Sequence, residues 1–357
     1  MRFLSFPILA VSVLVACVAP QPPGEGSDAG QVEPPAAFLS DYGFVEGELR
    51  DLQPVDGVLP YEPVAPLWSD GALKDRFMVV PPGEAVGFDP GEDWDFPLGS
   101  VIIKHFAFPR DLREPEGERL HVETRLMVLG EEGWVGEVYL WNEEQTDAEH
   151  FLPGTLVQLD LLDEEGEPFL QDYVVPSSNH CSNCHSRDDR MHLLGATTAQ
   201  LNGEVERGEG PVNQLDWLAQ SGLFGEEVPR AEELTALSAP FGAAPLEARA
   251  RSYLHANCAH CHRPGGNAAP SGLFFPYWEE DPTAYGICKR PVAAGAGSGG
   301  RAFDVVPGDP DASILTFRVE STEPGIKMPE LGNLLVHHEG VELLRDWIGA
   351  MEPQSCE

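Results

Sequence analysis

The stretch FLQDYVVPSSNHCSNCH (residues 169–185) contains the point at which the character of the chain changes. Its first half alternates apolar and polar residues, as a half-buried strand does. Earlier segments repeat the pattern between turn residues, for example SVIIKHFAF (100–108) and ETRLMVL (123–129). We therefore predict an N-terminal all-β, sandwich-like domain over residues 38–176. Lys104 and His105 are read as polar residues of an ordinary alternating strand.

Beyond residue 176, leucine, alanine and tryptophan recur at helical spacing, with proline and glycine between the runs. Three such runs are QLNGEVERGEGPVNQLDWLAQSGLF (200–224), PLEARARSYLHAN (245–257) and GVELLRDWIGAME (340–352). This pattern predicts a mainly α second region. We divide it into a first segment, 177–244, and a C-terminal domain, 245–357.

Four of the seven cysteines stand in two C-x-x-C-H units, at residues 181–185 and 258–262. Two thiols at this spacing can each add to one vinyl group of the same haem, and the adjacent histidine then reaches the iron. The sequence therefore predicts two covalently bound haem c groups, held by Cys181, Cys184 and His185 and by Cys258, Cys261 and His262.

Two other uses of paired cysteines fit less well. A thioredoxin-like redox pair does not explain the histidine after both pairs. A zinc ribbon places its cysteine pairs much closer together than residues 181 and 258. Haem attachment accounts for both the histidines and the spacing.

The composition and the N-terminus indicate where the protein works. The formal charge is -37, which would repel nucleic acid and favours a basic partner. Residues 1–17 have the proportions of a signal peptide and end in LVAC, which resembles the lipobox of bacterial lipoproteins. We expect lipid attachment at Cys17, a flexible tether over 18–37, and an exported protein anchored at the outer membrane, facing the periplasm or the cell surface.

Residues 245–357 resemble a class I cytochrome c domain. A helix leads into the second C-x-x-C-H unit, GIKMPELG (325–332) follows, and a helix closes the chain. The resemblance implies that Met328 is the distal iron ligand of this haem. It also implies that Leu254 packs on Leu344 and Trp347.

The distal ligand of the first haem stays open. His255 lies one helical turn before Cys258 and could stand between two haems, while His180, His337 and His338 are further candidates. A five-coordinate first haem is the remaining option. The last two cysteines, Cys288 and Cys356, can pair as a disulfide in an oxidising compartment.

Nearly the whole chain resembles a family of exported bacterial dihaem c-type cytochromes. The resemblance is carried by PLWSDGALKDRF (66–77), WDFPLGSVIIKHF (94–106), WNEEQTDA (141–148), VPSSNHCSNCH (175–185) and LHANCAHCHRPGG (254–266). It implies haem binding, single-electron transfer and a redox protein partner such as a periplasmic dehydrogenase. We expect an electron carrier without catalytic residues. The alternatives are a dihaem peroxidase-like enzyme with an open first haem site and a binding protein whose haems are ancillary.

Overall fold

The structure is a computed structural model that describes residues 35–91, 93–208, 210–292 and 294–357. The predicted signal peptide, Cys17 and most of the predicted tether lie outside these ranges. Packing begins near the start of the described chain, because Ala36 is buried and its amide donates a hydrogen bond to the Tyr42 hydroxyl at 3.0 Å.

The described residues form short elements joined by turns and loops. The strands are β1 (Val45–Glu46), β2 (Gln53–Pro54), β3 (Val58–Pro60), β4 (Leu73–Val79), β5 (Val101–Pro109), β6 (Arg119–Gly130), β7 (Gly133–Trp141), β8 (Ala148–His150), β9 (Thr155–Leu162), β10 (Pro168–Val175), β11 (Ser186–Arg187), β12 (Arg190–Met191), β13 (Glu204–Arg207) and β14 (Gly210–Asn213). The α-helices are α1 (Cys181–His185), α2 (Thr198–Leu201), α3 (Gln214–Gln220), α4 (Leu246–Asn257), α5 (Ile314–Val319) and α6 (His338–Gly349). Six 3-10 turns supplement them within the described chain: Leu39–Tyr42, Leu49–Asp51, Ser178–His180, Ala231–Glu233, Ala269–Ser271 and Gly295–Ser298.

The largest unit is an antiparallel sheet of six strands in the order β3-β4-β5-β6-β7-β8. Each strand pairs with the next along the chain, so the sheet is an antiparallel meander, whose connections range from the two-residue turn between β6 and β7 to the long segment between β4 and β5. One face is covered by the N-terminal segment, whose Tyr42 and Phe44 share a core with Phe77, Ile103 and Leu126. Burying these large side chains is the main stabilising contribution on this face.

Two separate layers cover the opposite face. At one end lies the hairpin of β9 and β10, whose Leu159 and Tyr173 share a core with Phe106. At the other end lies α3, whose Leu215 shares a core with Ile102. The strip of sheet between these two layers carries charged side chains, described below.

The prediction of a sandwich-like β domain followed by a mainly α region is wrong. Among the described residues strands predominate, with 27% in strands against 21% in helices, and the six α-helices there are short. Part of the physical reason lies in residues 200–222, where Gly208 and Gly210 have positive φ and form a turn. The pattern that predicted helix there is split into α2, the β13–β14 hairpin and α3.

Helices α4 and α6 form a separate core in the C-terminal part of the chain. Leu254 lies in this core with Leu344 and Trp347, and all three are at most 2% exposed. The indole nitrogen of Trp347 donates a hydrogen bond to the Glu247 carboxylate at the start of α4. Side-chain packing and this bond together hold the helix that leads into the second C-x-x-C-H unit.

Across the described ranges, no helix combines the length and the apolar composition needed to cross a bilayer.

Candidate functional site

The first C-x-x-C-H unit forms its own short helix, α1, directly after the 3-10 turn Ser178–His180. The helix rests on β7 at Gly136, where a Cβ would lie 2.6 Å from the Sγ of Cys181 and 3.5 Å from the Sδ of Met127. Any larger residue at position 136 would push the sulfur away. Glycine at this position therefore allows the close approach of the motif to the sheet.

A backbone carbonyl orients His185, the predicted iron ligand of the first unit. His185 Nδ1 lies 2.7 Å from the carbonyl oxygen of His192, so this nitrogen carries the proton and donates it. Burial lowers the pKa of His185 to about 4, which keeps the ring neutral at physiological pH. A neutral ring with Nδ1 as donor leaves Nε2 as the nitrogen that can bind iron.

The second C-x-x-C-H unit follows the last turn of α4. The amide of Cys258 donates to the Leu254 carbonyl at 2.9 Å, and the amide of His262 donates to the Cys258 carbonyl at 2.9 Å, so the turn continues into the motif. His262 Nδ1 lies 3.4 Å from the Ser271 hydroxyl, and burial lowers its pKa to about 4. This histidine is also neutral, with Nδ1 next to a polar partner.

The structure brings the two units into contact with each other. The Cys261 sulfur lies 3.5 Å from the Asn183 carbonyl oxygen, and Asn267 donates a hydrogen bond to the same oxygen at 2.8 Å. The amide of Asp188 also donates to the Gly265 carbonyl at 3.1 Å. The residues that follow each motif are therefore joined by several hydrogen bonds, and the two sites form one centre.

The four cysteines of the units carry free thiols with different acidities. Hydrogen bonds from Cys261 and from His260 lower the pKa of Cys184, while the hydrogen bond to Cys184 raises that of Cys261. Burial raises the pKa of Cys181 and raises that of Cys258 to about 12. Cys184 is therefore the thiol that most readily becomes a thiolate.

The donor set of this centre fits two covalently attached haem groups. Each unit offers two free thiols and a neutral histidine. His260 lies between the two cysteines of the second unit and in charge contact with Cys184, and its Nδ1 is buried without a hydrogen-bond partner. Among the described residues, no group of three or more His, Cys, Asp or Glu side chains could hold a bare metal ion.

The distal-ligand candidates lie in different surroundings. Met328 is half-buried in a loop, where its amide donates to the Arg318 carbonyl at 3.0 Å. His255 packs against the rings of Tyr277 and Trp278, and burial lowers its pKa to about 3. Both ligand roles stay predictions.

The other three histidines also have defined positions. His180 is exposed at the end of a 3-10 turn, and His338 begins α6. His337 stacks on Trp68 with ring centres 4.7 Å apart, and its Nδ1 lies 3.0 Å from the Tyr253 hydroxyl. His337 thereby connects the β region to the C-terminal core.

The remaining two cysteines are joined to each other. Cys288 and Cys356 form a disulfide with 4.9 Å between their Cα atoms. The bond ties the loop after the second C-x-x-C-H unit to the C-terminal end of the chain, beyond α6.

Sequence reasoning missed one group of residues near the first unit. Lys104 was assigned to ordinary strand alternation, but it pairs with Arg76 of β4 and with Arg125 of β6. A signal was present, because each of three strands carries at least one lysine or arginine among apolar residues. Recognising the row requires the register of the sheet, which the sequence does not provide.

Comparison of the chain with protein-family models, with curated proteins and with solved structures finds no significant match.

Proposed function

We propose that the protein is a dihaem c-type cytochrome that transfers single electrons at the bacterial cell envelope. The observation that carries this proposal is the contact between the two C-x-x-C-H units, in which the Cys261 sulfur approaches the Asn183 carbonyl oxygen to 3.5 Å. Electron transfer between two centres slows steeply as they separate. A chain that brings two haem-attachment motifs together is suited to passing an electron from one to the other.

The chain's own side chains would bind and orient each group. Bound haem supplies one-electron chemistry, because its iron alternates between two oxidation states. The thiols of each unit would attach the porphyrin, and the adjacent histidine, His185 or His262, would be the proximal ligand. The hydrogen bond from His185 to the His192 carbonyl fixes the plane of the ring, as outer hydrogen bonds do at other metal sites.

The distal ligands decide between an electron carrier and an enzyme. We assign Met328 to the second haem and His255 to the first. A soft thioether opposite histidine raises the potential of a haem relative to two histidines. With both axial positions filled by the chain, neither centre would bind a substrate, and no residue is given a catalytic role.

The rest of the chain would serve docking and attachment. The β region over 38–176 is proposed as the scaffold or docking surface for a redox protein partner, such as a periplasmic dehydrogenase. The formal charge of -37 favours a partner with a basic contact surface. A lipid on Cys17 would hold the protein at the membrane.

Intact mass spectrometry tests the proposal. The mature protein, produced together with a haem-attachment system, is expected to carry two haem groups. Replacing Cys181 and Cys184 by serine should leave one haem on the peptide that contains Cys258 and Cys261. The reverse double replacement should leave one haem on the peptide that contains Cys181. Fewer than two haem groups on the unchanged chain would reject the proposal.

A further inference from the structure

A row of three basic side chains crosses three neighbouring strands of the central sheet. Arg76 of β4 pairs with Lys104 of β5, and Lys104 pairs with Arg125 of β6. Residues that pair directly across strands point to the same face. Like charges at such positions destabilise a sheet, so an arrangement of three needs a compensating feature.

The row lies on the partly covered strip between the β9–β10 hairpin and α3. Arg76 is 8% exposed, whereas the Arg125 side chain is 31% exposed. The aromatic ring of Phe106 adjoins the row, with Lys104 Nζ 5.1 Å and the Arg125 guanidinium carbon 4.3 Å from its centre. An aromatic face offsets part of the cost of burying a cation but does not neutralise its charge.

The carboxylate that contacts the row neutralises only one of its cations. Glu123 is fully buried and binds Arg125 through two hydrogen bonds of 2.8 and 2.5 Å, and it accepts a third from Tyr173 at 2.7 Å. Arg76 donates to the backbone carbonyl of Lys74. Among the described residues, the Lys104 ammonium has neither a hydrogen-bond partner nor an ion pair.

The positive charge of the row is unusual for this chain. The sequence has 59 acidic residues against 22 basic ones, so a chance cluster of charge would be acidic. Burial lowers the pKa of Lys104, and the neighbouring cations Arg76, Lys74 and Arg125 lower it further. Burying unpaired cations is costly, so an anion at this position would stabilise the whole row.

The row stands next to the first C-x-x-C-H unit. Met127 follows Arg125 by two residues on the same face, which is a step of about 7 Å along a strand. Met127 pairs with Gly136, on which the Cys181 sulfur rests. Burial raises the pKa of the Cys181 thiol, and the positive charge of Arg125 offsets part of that rise. The Cys181 and Arg125 side chains are therefore within electrostatic range of each other.

We propose that Arg76, Lys104 and Arg125 form a carboxylate-binding site beside the first C-x-x-C-H unit. The guanidinium of Arg76 suits a carboxylate because its paired N–H groups match two oxygens, whereas Lys104 and Arg125, whose Nε and Nη2 bind Glu123, add positive charge. The carboxylate has two sources: a propionate of the haem attached at Cys181 and Cys184, which rests on the proposed function, or a small carboxylate from solution.

Replacing Lys104 by methionine tests the site in the haem-loaded protein, because methionine keeps the length of the side chain and removes its charge. The control is Arg119→Met, which removes a cation from the same sheet. Arg119 lies on the opposite face of β6 from Arg125, because the strand has a bulge between them, and it forms an ion pair with Asp75 at 3.1 Å. Lys104→Arg should keep the behaviour of the unchanged protein, and Lys104→Gln replaces the methionine variant if that variant does not fold.

Two measurements distinguish the sources of the carboxylate. If a propionate occupies the site, Lys104→Met lowers the reduction potential of the first haem by at least 59 mV. For one electron this is a tenfold change in the ratio of reduced to oxidised protein. If a free carboxylate occupies it, calorimetric titration with acetate and succinate shows binding to the unchanged protein and at least tenfold weaker binding to Lys104→Met. Equal results for Lys104→Met and Arg119→Met in both measurements would overturn the proposal.

Counting haems by mass separates this proposal from the proposed function. A protein without haem at the first unit would contradict the proposed function and remove the propionate source. The calorimetric titration would then decide alone, because it detects a free carboxylate without haem. Absence of acetate and succinate binding in that protein would overturn the carboxylate site as well.

Discussion

The contact between α1 and β7 gives the most specific prediction about the first haem site. A Cβ at position 136 would lie 2.6 Å from the Cys181 Sγ and 3.0 Å from the Cys181 Cβ. Ordinary van der Waals contacts begin near 3.4 Å. In Gly136→Ala, α1 must therefore move away from the sheet by about 1 Å, because the backbone of β7 at Gly136 is held by its pairing with β6.

The size of the effect follows from this overlap. Overpacking of this kind costs about 1–3 kcal/mol, which corresponds to about a 5-fold to 150-fold larger population of protein with α1 displaced. Displacement moves Cys181 relative to Cys184, and attachment of one haem requires both thiols of the unit to reach it. We expect Gly136→Ala to lose haem from the first unit and to keep haem at Cys258 and Cys261.

Intact mass and peptide mass spectrometry measure the occupancy of each unit, and urea denaturation measures the change in stability. Gly130→Ala is the matched control, because a Cβ there meets only the Gly133 carbonyl oxygen, at 3.9 Å. The control should keep two haems. Full occupancy and unchanged urea resistance in Gly136→Ala would refute the close-approach argument.

Three further changes test other parts of the structure. Met328→Ala should abolish the sulfur-to-iron charge-transfer band in the near infrared and lower the potential of the second haem; an unchanged spectrum would reject Met328 as the ligand. Replacing Cys288 and Cys356 by serine removes a disulfide between residues 68 apart. The entropy of the closed loop predicts that the free energy of unfolding, measured by urea denaturation, falls by about 4 kcal/mol; a fall below about 1 kcal/mol would contradict this. Burial lowers the pKa of His337 to about 4, so below the unfolded pKa of about 6.5 the unfolded chain binds a proton that the folded chain does not. His337 alone should therefore lower stability by up to about 1.4 kcal/mol per pH unit as the pH falls from 6.5 to 4, and His337→Phe, which can still stack on Trp68, should reduce the slope of the unchanged protein by that amount; an unchanged slope would be inconsistent with a neutral His337.

Local patterns in the sequence coincide with individual strands but not with the whole architecture. The alternating segments at 100–108 and 123–129 coincide with β5 and β6, because alternation reports directly on a sheet with two different faces. The helical pattern after residue 176 coincides with α4 and α6 but was misleading at residues 200–222. Leucine and alanine spacing gives no measure of length, and the glycine residues near 208 turn the chain into a hairpin.

The candidate site shows the same difference between local and long-range information. Each C-x-x-C-H unit is visible in the sequence, because its chemistry needs only five consecutive residues. The contact between the units depends on Asn183 and Cys261, which are 78 residues apart. The basic row depends on the register of β4, β5 and β6, which is a property of the folded sheet.

Low-temperature EPR with near-infrared magnetic circular dichroism of the oxidised, haem-loaded protein separates an electron carrier from an enzyme, because it reports the spin state and axial ligands of each haem. An electron carrier should show two low-spin haems, one of them with histidine and methionine as axial ligands. A high-spin first haem whose spectrum changes on addition of peroxide would contradict the electron-carrier assignment and favour the dihaem peroxidase-like alternative.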